Sequence, residues 1–288
     1  MKVLVTGARG ALGSSVTTEL VERRIPVVLV SRQETFAFTG VEIATGDLSN
    51  AAFAREAVRG VTHILHCAGE KRDPGRMMAG NVVATRNLIE AAAAEGVLRF
   101  IHVSSVGVVG KSSRLIIDED TECLPMNFYE ETKHEAEEIV RASGLPGAII
   151  RPTNIVDERN LEPWVTMSAW KLMLKARENS HLVYMGDVVA ALLFLLESDA
   201  AGMETYIISS DDEEVGKVGD VVRFLTGRRA AVSAPLHLPY LLRRVRDRNA
   251  NFGNKLYSPA KLAEAGFTRP YGLREGLRRS LSGYRQRR

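Results

Sequence analysis

Tyr129 and Lys133 stand four residues apart in the stretch YEETK. On a helix that spacing puts both on one face, one turn from each other. An ammonium near a phenol favours the phenolate and draws its pKa from about 10 toward the working range. A phenol so tuned can exchange a proton with a carbonyl or alcohol oxygen. Ser105 ends the apolar run LRFIHVSS, and its hydroxyl could bond the same reacting oxygen. Many tyrosine–lysine pairs at this spacing are only a solvated helix face, so the elements around them decide.

The strongest of those elements is TGARGALG, Thr6 to Gly13. It joins the apolar run KVLVT to the helical pattern ALGSSVTTELVERR. Gly7 permits a tight turn, Gly10 leaves the backbone open to a pyrophosphate, and Gly13 allows close packing of helix on sheet. Arg9, Ala11 and Leu12 fill the rest of the stretch, where the helix N-terminus offers N–H groups to phosphates. Glycines in a strand–turn–helix setting predict a dinucleotide site. With it, proton exchange at Tyr129 becomes half of a redox step whose hydride moves to or from nicotinamide. NAD sites usually carry an acid about 20 residues on, for the ribose 2′-hydroxyl. Here that place reads VSRQ, with Ser31 and Arg32. Together with Arg9 they suit a 2′-phosphate, so NADP is the expected cofactor and NAD the second choice.

The wider pattern supplies the scaffold. KVLVT, IPVVLVS, VEIATGD, VTHILHCAG, LRFIHVSS and PGAIIRP read as buried strands, and METYIIS as a late one. Helical segments alternate with them, among them NVVATRNLIEAAAAEG and YEETKHEAEEIVRASG. Strands apolar on both faces mean a covered parallel sheet, hence an α/β doubly wound parallel sheet of Rossmann type with a small C-terminal substrate lobe. The expected division is a dinucleotide-binding domain over 1–151, to which 182–208 returns, and a lobe from 152–181 and 209–288 above the carboxyl ends of the strands. SSDDEEVGKVGD reads as an exposed acidic loop, and LHLPYLLRRVRDRNANFGNK and LREGLRRSLSGYRQRR as basic helices.

Taken in order, these motifs resemble the extended short-chain dehydrogenase/reductase family, the group of nucleotide-sugar epimerases, dehydratases and ketoreductases. The resemblance covers nearly the whole chain. TGARGALG matches its glycine motif and GDL, with Asp47 and Leu48, its adenine-contacting turn. HCAG, with Cys67, Ala68 and Gly69, matches the fourth-strand motif lining the cofactor. SSVGVVG and YEETK match the fifth-strand and catalytic-helix motifs. RPTNIV, with Pro152 and Asn154, matches the loop near the nicotinamide. YSPAKLAEAGF resembles the C-terminal segment. The resemblance implies Tyr129 as general acid/base, Lys133 as the residue that lowers its pKa and bonds the ribose, and Ser105 as the group positioning the substrate oxygen. Asn81 is a lesser structural or catalytic contributor. Family dehydratases carry an acid just after the Ser/Thr, whereas Ser105 is followed by Val106, Gly107, Val108 and Val109, which argues against dehydration. Val109 also replaces a tyrosine common in sugar-nucleotide members, and the segment from Val156 to His181 is short, so a compressed substrate pocket follows.

Composition sets the remaining expectations. From Arg223 to Arg288 sixteen lysines and arginines face three carboxylates, a net of +13, while the rest of the chain carries −10. Most of this excess reads as solvated surface. A few residues, with Arg243, Arg244, Arg246 and Arg248 as candidates, suit a substrate pyrophosphate. Six scattered histidines give no metal spacing, and the two cysteines, Cys67 and Cys123, form no framework. No apolar run is long enough to span a bilayer, and KVLVTG follows no leader, so a cytoplasmic protein is expected. The expected partner is an anionic small molecule, with no nucleic acid and no membrane. A homodimer is expected through the helices over 77–95 and 126–143. The leading function is an NADP-dependent oxidoreductase resembling a nucleotide-sugar 4-ketoreductase. The alternatives are an epimerase with tightly bound NAD(P), a reductase of a small uncharged ketone, and a non-catalytic NADP sensor.

Overall fold

A computed structural model describes residues 1–33, 38–246 and 254–287. Arg248 lies outside the described residues, as do the side chains of Arg243, Arg244 and Arg246. The strands of the main sheet, in chain order, are β1 (Val3–Thr6), β2 (Val27–Ser31), β3 (Glu42–Thr45), β4 (His63–His66), β5 (Arg99–Val103), β6 (Gly147–Pro152) and β7 (Met203–Ile208). The main helices are α1 (Ala11–Glu22), α2 (Ala51–Val58), α3 (Ala84–Glu95), α4 (Phe128–Ala142), α5 (Ala169–Lys175), α6 (Met185–Leu196), α7 (Val218–Thr226), α8 (His237–Arg246) and α9 (Gly272–Gln286).

The seven strands run β7-β6-β5-β4-β1-β2-β3, with parallel pairings between neighbours. The order reverses direction at β1, which is the doubly wound arrangement expected from alternating strands and helices. Helices cover both faces because strands such as Val3–Thr6 and Val27–Ser31 are buried throughout. β3 departs from that expectation: it is an edge strand, and most of its residues are exposed. Leu4, Leu88, Phe100 and Ile149 anchor one side of the core.

The chain forms two compact units. The first holds Met1–Val108, Pro125–Arg151 and Val189–Tyr206; the second holds Val109–Leu124, Pro152–Val188 and Ile207–Arg288. In the second, two short parallel pairs occur, Asn154–Val156 with Leu182–Tyr184 and Ile116–Ile117 with Leu256–Tyr257. Its core gathers Val156, Leu161, Val221 and Leu277. The acidic loop is only partly the exposed one expected. Ser209 and Ser210 are buried, Asp211 accepts from His181 Nδ1 at 2.7 Å, Asp212 pairs with Arg269, and Glu213 accepts from Leu273 N at the start of α9. Asp211, Asp212 and Glu213 thus hold local structure, while Asp212 and Glu214 keep the exposure expected of them.

Candidate active site

The glycine turn follows from β1 into α1. Gly7 has φ +70°, and a Cβ there would stand 2.7 Å from the Ala68 nitrogen. A Cβ at Gly13 would stand 2.2 Å from the Gly7 carbonyl oxygen. Gly13 thus lets α1 pack against the backbone that directly follows β1. Gly10 caps α1 with no side chain over its N-terminus. The turn opens on a cleft of about 380 Å³ in the first unit, within the usual size of a ligand pocket. Gly7, Arg9 and Gly10 form one wall, Ser31, Arg32, Asp47 and Leu48 a second, and Cys67, Ala68 and Gly69 a third. These residues, far apart in sequence, meet because β1, β2 and β4 are neighbours and all end on this side. Ala11 and Leu12 begin α1 directly behind the turn. A backbone that tolerates no Cβ at two points, facing an open helix N-terminus, fits the phosphates of a dinucleotide.

The polar groups of the walls are already organised. Asp47 accepts from Ser49 N at 2.9 Å, and that bond, with Arg32 nearby, holds its carboxyl below the usual range. Ser31 accepts from Gln33 N at 3.1 Å. Glu70 accepts from the N–H groups of Lys71, Arg72 and Asp73, a backbone nest closed on one carboxylate. Asn81 sits in a wide, π-helical turn over Met78–Val83. Its side chain accepts from Glu70 N and donates to Glu70 O and Thr132 Oγ1. Those bonds tie the 70s segment to α4, so the structural reading of Asn81 accounts for its contacts.

Lys133 is buried, and its ammonium donates to the Val103 carbonyl at 2.7 Å and lies 3.4 Å from His102 Nε2. Burial drives it down to about 8, against the opposing pull of Glu137 and Cys67. A Cβ at Gly69 would meet this Nζ at 3.9 Å, so the lysine lies beneath the cleft. Beneath it, His66 bonds Thr6 Oγ1 at 2.7 Å and Thr85 Oγ1 at 2.9 Å, and its ring lies 5.2 Å from that of His102. Burial, with Lys133 close by, pulls His66 down to about 3, and burial pushes the Cys67 thiol up to about 12. α4 is fastened by Glu137, which receives Arg151 through two bonds of 2.9 and 2.7 Å.

Tyr129 begins the same helix, one turn before Lys133. The expected lowering of its pKa is corrected: burial, then the Glu130 carboxylate, push the phenol above its ordinary value. The Lys133 ammonium, meanwhile, donates to the Val103 carbonyl. Ser105 accepts from Gly107 N at 3.1 Å. A Cβ on Gly107 would meet Ser105 Oγ at 3.3 Å and Glu130 Oε1 at 3.5 Å. Ser105 and the Glu130 carboxylate thus both flank Gly107, although no carboxylate follows Ser105 in sequence. Glu130 is held there by accepting from Met126 N at 2.8 Å, while Asn127 accepts from Glu130 N. The signal that could have found it is the Asn127-x-x-Glu130 spacing at the start of α4, which resembles a capping box although Glu130 reaches back to Met126 N rather than to the N-cap N–H. Pro152 and Asn154 belong to the second unit, where the Asn154 amide donates to Ser180 O at 3.5 Å.

With this geometry in place, likeness to known proteins becomes informative. Residues 3–209 match the NAD dependent epimerase/dehydratase family. Sterol demethylase protein B of Methylococcus capsulatus is 30% identical, over 79% of this chain and 75% of its own length. The N-acetyl-alpha-D-glucosaminyl-diphospho-ditrans,octacis-undecaprenol 4-epimerase of Escherichia coli O157:H7 is 27% identical, over 97% and 94%. The crystal structure of Thermus thermophilus UDP-glucose 4-epimerase in complex with NAD shares the fold at TM-score 0.73 and 22% identity, over 99% of both chains. The glycine turn, the cleft it opens and the extent of these matches lead to one statement of kinship: the chain belongs to the NAD-dependent epimerase/dehydratase family of enzymes.

Proposed function

We propose that the protein is an NAD(P)-dependent epimerase-type enzyme that oxidises and re-reduces a secondary alcohol carbon of a diphosphate-linked sugar. The observation that supports it most is the placement of Lys133 directly beneath the dinucleotide-shaped cleft, on the same helix as Tyr129. The first unit holds the dinucleotide through the glycine turn, Asp47 and the 67–69 wall; the second serves the substrate. The bound nicotinamide supplies hydride exchange at the alcohol carbon. Tyr129 carries the proton to and from the substrate oxygen, and Ser105 offers a hydrogen bond to the same atom. Lys133 keeps a positive charge under the site and would be the residue to bond the ribose of a bound dinucleotide. The two relatives named for epimerisation both act on sugars carrying a diphosphate or UDP, which supports an anionic substrate. The groove between α3 and α4, lined by Arg86, Ile89, Glu135 and Ile139, suits a two-fold pairing.

A second reading is favoured by a specific observation. Ser31 and Arg32 take the place of the ribose-binding acid at the end of β2, and Arg9 lines the same cleft. Tyr129, held protonated, is ready to donate to a carbonyl oxygen. Both point to NADPH-dependent net reduction. Turnover of UDP-linked sugars and keto-sugars separates the two. Epimerisation forms product with no net change at the nicotinamide absorbance band. Reduction consumes one cofactor per product, NADPH in preference to NADH. Failure of millimolar nucleoside diphosphates to compete with substrate would remove the sugar-nucleotide reading altogether.

A further inference from the structure

Helix α8 turns its apolar stripe outward. Leu238, Leu241 and Leu242 follow the spacing i, i+3, i+4, and Val245 continues it in sequence. A helix with that stripe ordinarily buries it. Here the three leucines are 38%, 54% and 47% exposed, while Pro239, off the stripe, is buried. Beside them Trp170 on α5 is 63% exposed and Val232 69%. α5 and α8 touch, and Ala234 N donates to Met173 O at 2.9 Å, so these side chains belong to one region of the second unit.

Exposed cations lie on the segments that carry the patch. Lys171, Lys175 and Arg177 are exposed on and just after α5, and no carboxylate occurs from Pro163 to Arg177. Arg228 and Arg229 are exposed before α8. From Arg223 to Arg246 the sequence holds six arginines and no carboxylate. A cationic surface alone would suit a nucleic acid, and an apolar one a protein. The combination matches the edge of a bilayer, where leucine and tryptophan enter the acyl boundary and basic side chains remain among anionic headgroups.

We propose that this face of the second unit docks on an anionic membrane surface. The inference goes beyond the reaction proposed above and does not depend on it. It departs from the expectation of no membrane partner, which rested on spanning segments: among the described residues no helix is long and apolar enough to cross a bilayer, but lying on a surface needs only one exposed stripe.

The test is co-sedimentation of the full chain with vesicles of phosphatidylcholine, with and without about a third phosphatidylglycerol. Binding is expected to the anionic vesicles and to be weak on the neutral ones. Trp170 emission should shift to the blue on binding, and Trp170→Phe should remove the shift. The Leu241→Ser/Leu242→Ser double variant should lower vesicle partition about tenfold, since its side chains supply the inserted apolar area. Dinucleotide affinity should be unchanged in that variant, which reports an intact first unit. The proposal is overturned if anionic vesicles do not retain the protein, or if the double variant partitions as the parent does. It is equally overturned if duplex DNA or RNA is bound and vesicles are not. A dimer seen by light scattering that the double variant converts to monomer, with vesicles unbound, would assign the face to self-association instead.

Discussion

Tyr129 and Lys133 occupy neighbouring turns of α4 but different surroundings. The lysine is sunk against Val103 and His102, whereas the tyrosine hydroxyl takes no partner among the described residues. Its hydroxyl is therefore available for proton exchange while contributing nothing to the cleft walls. Tyr129→Phe should lower turnover by about 10²–10⁴-fold. Dinucleotide affinity, read by fluorescence titration, should remain that of the parent; an equal loss in both would make the residue a binding group. The buried histidines give a second residue-scale prediction. His66 is held near 3, far below the 6.5 of an unfolded chain, and His102 is pushed the same way, burial first. Below about 6.5 the unfolded chain takes up protons that the folded one refuses, so stability is intact above that pH and falls as pH drops toward 3. Denaturation midpoints between about pH 6.5 and 5, above the carboxylate range, should decline steadily. A flat profile there would show that these rings find solvent.

At the scale of elements, the turn between β1 and α1 is the least forgiving part of the first unit. Gly13→Ala would drive a methyl group to 2.2 Å from the Gly7 carbonyl, so the turn must open. The expected cost is about 1–3 kcal/mol of stability, by analogy with overpacked cores, together with a loss of dinucleotide affinity. Thermal melts with and without NAD check both, and a variant that binds as before would mean that α1 can shift as a rigid body. This turn was legible because a local rule governs it: three glycines, a preceding apolar strand and a following helix. Most of the seven strands were legible for the same reason, being runs of apolar residues with Gly, Pro or Asp nearby; β3, with Glu42 and Thr45 and most of its residues exposed, was recognisable only from its flanking GD turn. The paired short strands at Asn154–Val156 and Ile116–Ile117 were not, since two- and three-residue strands gain their identity only from distant partners. Nor was the inward course of Lys133, which depends on the Val103 carbonyl presented by a strand thirty residues earlier. The approach of Glu130 to Gly107 was not legible either, since it requires the segment after β5 and α4 to be brought together.

For the whole molecule, charge is divided as strongly as structure, with a basic C-terminal stretch balancing an acidic remainder. An anionic substrate should feel that excess over about a Debye length, so its capture should weaken as salt rises while a neutral ketone is captured equally well. Stopped-flow association rates across ionic strengths measure this, and parallel behaviour of the two substrates would exclude a role for the basic stretch. The main sheet also has a rim. β3 closes it, and among the described residues nothing pairs with its outer edge. Ile43 there is 36% exposed, and Glu42 holds Lys2 at 2.7 Å. An open strand with an apolar side chain is a template on which another chain can add itself, and a charged residue is what commonly prevents it. Glu42 is therefore expected to guard against fibrous growth. Exchanging it for valine should leave the catalytic apparatus untouched yet bring on turbidity in concentrated, warmed solutions that the parent withstands.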